Sequence, residues 1–288
     1  MEKSEKAQPK RHHFVPQFYL RNFADGKRRL RMYARGRGAE PIVAMVKDAA
    51  VESGFYSVAH ESGEKSQRVE SVLSVIDDKA KAAVDAILRG GFPPERQARE
   101  DLAIFIALQT LRTPLDRRQY EAMVDYTQKV MLEGWTADYA RERLQQTGLD
   151  TTDEAVAEIM DVVDNPEKYR FVPHQNEHIK IMLSVATQVA PVIAARAWLL
   201  GACNTASFVT SDHPVVWRSA PNETNRHLGV GLGNAEEVYF PLDRHHVLMM
   251  ALPGELPERR VELPGDAVLF VNHLVAESSH KWTYQQPR

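Results

Sequence analysis

The chain has 288 residues, 43% of them hydrophobic, a formal net charge of −3 and a single cysteine, Cys203. That length holds one large domain or two modest ones with a sizeable core, and a lone cysteine excludes an intramolecular disulfide and gives no sign of an oxidising compartment. The charged N-terminus has no apolar run like that of a signal peptide, and the most apolar stretch, 179–203, is broken by Lys180, Gln188, Pro191 and Arg196. A cytoplasmic protein without a membrane-spanning helix is therefore expected, with 179–203 read as a buried helix followed by a strand.

The modest net charge hides an imbalance. Residues 1–38 carry eleven basic against three acidic side chains, a net of +8, which leaves −11 for the remainder. Such an arm, beside two histidines and several aromatics, reads either as an electrostatic footprint for phosphate backbones or as a solvated tail followed by a basic hairpin. Within residues 1–60 the pattern is mixed. The Val15-Pro16 step opens a short helix carrying Phe18, Tyr19 and Phe23, with His12 and His13 at its mouth. Asp25-Gly26 predicts a hairpin turn into a strand over 29–35, and a second strand is expected near 55–58.

Residues 66–198 read as helical almost throughout. Val69, Val72, Leu73, Ile76, Ala80, Val84 and Leu88 recur at three- and four-residue spacing, as do Leu102, Ile106, Leu108 and Leu111. Gly90-Gly91, Pro93-Pro94 and Gly148 punctuate the helices, and a further helix begins at Thr151 or Thr152 and ends at Pro166. From residue 199 the pattern turns to short apolar runs. Strands are expected at 198–202, 207–210, 215–218, 237–240, 247–251 and 282–284, with a helix over 267–277. The loop 222–234 carries Gly229, Gly231 and Gly233 but lacks the Lys-Ser/Thr of a phosphate cradle, and is expected to be a mobile loop. The sum is an α+β fold of one domain: a mixed N-terminal segment, a central helical bundle and a mostly antiparallel C-terminal sheet.

Four constellations carry chemistry. The first joins His12 and His13 to Asp212, and with it Ser211 and His213, in Thr210-Ser211-Asp212-His213-Pro214. A histidine titrates near neutrality and a carboxylate fixes its tautomer, which is acid–base machinery. Ser-Asp before a proline is equally an ordinary turn, with Asp212 accepting backbone N–H bonds. The second, His174-x-x-Glu177-His178, spells an inverted zinc-protease motif but lacks a clear third ligand, and reads first as the polar opening turn of a core helix. The third is Glu70, Asp77 and Asp78 with Arg112. Glu70 and Asp77 lie seven apart and so on one helix face, where they either hold a hard divalent cation or bridge to Arg112. The fourth, His245, His246, His273, Glu277 and His280, reads as surface and sheet-edge histidines.

The His12-to-Phe23 segment resembles the N-terminal signature of the family catalogued as domain of unknown function 4238, found widely in bacteria. Its later landmarks follow in order: a helix like 68–88, Ala107-Leu108-Gln109 with Arg112-Thr113-Pro114, Thr210 to Pro214, Phe240-Pro241-Leu242 and Asn272. His213 departs from the pattern, which leads one to expect a small polar residue there. The resemblance implies an architecture and no established reaction. From the residues, the expected function is a phosphodiesterase or nuclease acting on nucleic acid. His12, His13 and Asp212 are its catalytic candidates. Arg11, Arg28, Arg29, Arg31, Arg112, Ser211 and His213 would meet the substrate, and Glu70, Asp77 and Asp212 would hold Mg or Mn. The alternative is a non-catalytic ligand- or protein-binding module in which the same motifs are structural.

Overall fold

A computed structural model describes residues 11–36, 40–53, 55, 58–59, 65–66, 68–219, 230–254 and 257–287. The N-terminal stretch runs through β1 (Arg11–His13), α1 (Gln17–Arg21), β2 (Arg29–Ala34), β3 (Ile42–Met45), β4 (Val51–Ser53), β5 (Val58–Ala59) and β6 (Lys65–Ser66). Helices α2 (Arg68–Leu88), α3 (Arg96–Leu111), α4 (Pro114–Leu132), α5 (Ala137–Gln146), α6 (Asp153–Asp164) and α7 (Gln175–Ala194) follow. The chain then enters β7 (Ala197–Ala202), β8 (Thr210–Ser211), β9 (Val216–Arg218), β10 (Glu237–Pro241), β11 (His246–Ala251), β12 (Arg260–Glu262), α8 (Gly265–Ser278) and β13 (Trp282–Gln285). This is an α+β protein, and among the described residues no helix is long and apolar enough to cross a membrane.

Two compact units share the chain. Met1–Pro114 with Ile179–Arg288 forms the larger, and Leu115–His178 the smaller. The helical run is thus distributed over both rather than gathered in one bundle.

In the larger unit, a five-stranded sheet has the order β12-β7-β11-β10-β9, antiparallel except for the parallel β12–β7 pair. All six residues of β7 are buried, as its unbroken apolar run requires. Gly201 is packed closely: a Cβ there would lie 2.4 Å from Leu263 Cδ1, so a larger residue requires the Leu263 side chain to shift. A second sheet, β3-β2-β13-β8, is antiparallel throughout and joins the N-terminal strands to the C-terminal ones. The N-terminal segment and the late sheet are therefore one construction. Tyr19, Phe23, Phe105, Trp198 and Phe240 are among its largest fully buried side chains.

The smaller unit has a separate core of Ala140, Leu144 and Val156, packed by Trp135, Ile159 and Met160. Its helix ends follow the local chemistry. Thr136 and Thr152 cap α5 and α6 by accepting the Tyr139 and Ala155 N–H groups. Past α5, Gly148 at φ +70° lets its own N–H reach Gln145 O and that of Leu149 reach Leu144 O, a Schellman ending.

Several local expectations need correction. His12 and His13, which precede α1 as expected, lie in a strand that the sequence did not announce, because β1 finds β4 as its partner. Of the strand expected near 55–58, Phe55 lies in a turn, Val58 begins β5 and 56–57 lie outside the described residues, and the short strands β3 and β12 carried no signal long enough to stand out. At the Asp25-Gly26 turn the left-handed residue is Arg28 (φ 59°), and the Asp25 carboxylate organises the turn by accepting the Lys27 and Arg29 N–H groups. Residues 220–229 of the glycine-bearing loop, like 1–10 of the basic arm, lie outside the described residues.

Candidate functional site

Pairing with β4 sets His12 opposite Glu52 and His13 opposite Val51. Beyond them the chain turns through Pro16 into α1, and this corner lies across an open groove from α2. Arg11, His12, His13, Gln17 and Phe18 form one side; Glu70, Ser74, Asp77 and Asp78 form the other, with Arg112 also lining a volume of about 350 Å³. The structure thereby merges the His-His motif with the helical acidic set, two constellations that the sequence left separate.

Hydrogen bonds fix the groove. His12 Nε2 lies 2.8 Å from Glu70 Oε1. Arg112, 1% exposed, donates from Nε to Gln109 Oε1 and from Nη2 to Asp77 Oδ1, each at 2.9 Å. Gln109 in turn donates to Phe14 O at 3.0 Å, which ties the end of α3 to the backbone of the His-His segment. Arg11 pairs with Asp48 at 2.9 Å. The bridge expected as one outcome between Arg112 and Asp77 is thus present.

The environment tunes two groups. Burial pushes His13 below its ordinary value, with Arg11 acting the same way, while backbone hydrogen bonding to Lys47 and Val46 opposes. Its Nε2 is shielded from solvent and has no hydrogen-bond partner among the described residues. Asp77 is pushed up because burial outweighs the attraction of Arg112, and Asp78 adds to the rise.

Asp212 is not among the residues that line the groove. Its Oδ1 accepts the His280 N–H at 2.8 Å, and its Oδ2 accepts those of Lys281 and Trp282 at 2.7 and 2.9 Å. A buried carboxylate holding three backbone donors is a clamp on the turn between α8 and β13. Ser211 Oγ closes a small turn by donating to His213 O and accepting the His213 N–H. His213 packs edge-on against Trp217, and its buried Nδ1 has no partner among the described residues.

The remaining landmarks converge as fasteners. Tyr19 Oη donates to Pro241 O and shares a hydrogen bond with Thr210 Oγ1, both at 2.8 Å. Asn22 Nδ2 reaches Leu242 O at 2.9 Å. Asn272 holds the approach to β8 by accepting the Val209 N–H and donating to Ser207 O.

The other groupings considered from the sequence do not converge. Arg28, Arg29 and Arg31 lie off the groove, with Arg29 held by Asp25 at 2.8 Å. Glu70 and Asp77 share the groove with Asp212 elsewhere, and no three His, Cys, Asp or Glu among the described residues gather closely enough to hold a metal ion. Glu70, Asp77 and Asp212 thus do not assemble as a three-carboxylate set. His174 precedes α7 and is exposed, while His178 is buried against the Tyr120 ring, so the zinc-type motif does not converge either. His246 bonds to Asp243 as a part-buried pair at the start of β11, and His273 pairs with Glu277 on the surface. Gln17, Phe18 and Ser74 had escaped notice as groove residues, since nothing in their local sequence marks them.

The family described as "Protein of unknown function (DUF4238)" matches residues 11–288. The chain belongs to this family. Curated proteins and solved structures give no match. What the DUF4238 resemblance implied in order along the sequence is, in space, a set of motifs bonded to one another: Tyr19 to Thr210 and Pro241, and Gln109 to the His-His segment.

Proposed function

We propose that this chain is a ligand-binding module whose His-His and Thr-Ser-Asp motifs serve the architecture and whose groove, walled by α2, takes a compact polar ligand. The observation that carries this reading is the closure of Asp212: with three backbone N–H groups on its oxygens, it has little capacity left to orient a histidine. The groove's charges point to the ligand. Glu70, Asp77 and Asp78 outnumber Arg11 and Arg112, and both arginines already hold carboxylates. A ligand presenting hydrogen-bond donors or a positive charge suits that lining better than a phosphodiester.

A second reading, a nuclease or other phosphodiesterase, rests on His13. Its burial favours the neutral form and its Nε2 has no partner among the described residues, which are properties of a general base. The test sets wild type, His13→Ala and Asp212→Asn side by side. RNA and DNA cleavage is assayed with magnesium or manganese and with chelator, alongside melting curves. The module reading expects no cleavage and a lowered melting temperature for Asp212→Asn. Cleavage by the wild type, lost in His13→Ala at unchanged melting temperature, overturns it.

A further inference from the structure

A second cavity, away from the histidines, differs in chemistry from the groove. It lies between the first half of α3 and the second half of α7 and encloses about 520 Å³, within the range of small-molecule sites. Ile104, Ala190, Pro191 and Ala194 give it apolar walls. Its polar groups are Arg96, Arg99, Glu100 and Thr187.

The two arginines differ in what they leave open. Arg99 is locked: its guanidinium stacks 4.5 Å over the Trp198 ring, donates to Ala194 O and Arg196 O, and is neutralised by Glu258. Arg96 is 92% exposed and gives only Nε to Glu100, at 2.9 Å, so its two terminal amino groups remain for an anion. The cavity thus offers an apolar body with one cationic contact at its edge.

We propose that this cavity binds an amphiphilic carboxylate, an alkyl or aryl body carrying a single acid group. The apolar walls supply affinity by burying hydrocarbon, and Arg96 supplies the preference for a negative head over a neutral or cationic one. Because Arg96 is so exposed, its share is small and the chain supplies most of the binding.

Calorimetry on the full chain with octanoate, decanoate, decanol and decyltrimethylammonium tests this. Each added methylene is expected to tighten binding about fourfold, so decanoate exceeds octanoate by more than about tenfold. Decanoate should exceed decanol by roughly threefold to fivefold, and Arg96→Glu should erase that margin without moving the melting temperature. Thr187→Trp, at an exposed wall position, should weaken decanoate and decanol alike, whereas Glu70→Gln in the groove should change neither. Absence of chain-length dependence, decyltrimethylammonium binding as well as decanoate, or full binding by a folded Thr187→Trp variant would each overturn the proposal.

Discussion

The turn at Thr210–Asp212 and the groove at His12–His13 are built from the same kinds of residue, yet they end in opposite states. In the turn, Asp212 and Ser211 spend their hydrogen-bonding groups on nearby backbone. In the groove, His13 Nε2 has no partner among the described residues, and partial burial raises the Asp77 pKa despite its pairing with Arg112. A polar motif in an apolar setting therefore has two physical fates. Where the backbone supplies all its partners it is a fastener; where side chains from separate elements leave part of it open, it can receive a ligand.

The comparison breaks first at Asp212. Asp212→Ala strands three N–H groups in a buried turn and should cost about 3 kcal/mol or more, read as a large drop in denaturation midpoint. Tyr19→Phe comes next. Losing the hydroxyl leaves Pro241 O and Thr210 without their partner, at a cost of about 1–3 kcal/mol by the same measurement. Glu70→Gln should do far less to stability, under about 1 kcal/mol for a partly exposed pair, while weakening any ligand of the groove. If Glu70→Gln proved as destabilising as Asp212→Ala, the groove would be a second clamp.

The contrast sharpens with pH. His13 is lowered by burial from its ordinary 6.5, so above that value both folded and unfolded forms are neutral and it contributes nothing. As pH falls below 6.5, the unfolded chain takes up a proton that the folded one resists, and stability is lost until the folded pKa is reached. His178 is lowered in the same direction and adds its own loss. His13→Gln should therefore flatten, and His13→Gln with His178→Gln flatten further, the decline in melting temperature as pH falls below 6.5. The smallest effect is expected at Arg28, whose φ of 59° is costly for a side chain. Arg28→Gly should stabilise by about 0.5 kcal/mol in urea titration if the arginine is only a turn residue.

How much was legible follows from the range of each interaction. The α2 periodicity, the run that becomes β7 and the Thr152 cap are local signals, and each became the expected element. The Asp212 clamp was half legible, since its acceptor role belongs to the residue type while its donors lie 68 to 70 positions away. The groove was not legible as a unit. His12 meets Glu70 across 58 residues, and a three-residue strand such as β1 carries too little periodicity to announce itself before its partner is known.

The pairing of β2 with β13 has a consequence for how the protein is made. Gln285 donates to Tyr33 Oη at 2.7 Å across 252 residues, and the Asp212 clamp closes on that same late segment. During synthesis β2 and β3 can pair with each other early, but the other edge of β2 stays open until β13, some 250 residues later, is made. Among the described residues β3 remains an edge strand even in the finished sheet, with Val43 and Met45 exposed. A strand edge that waits so long for its partner predicts slow completion of this sheet, to be read as a late phase in refolding kinetics.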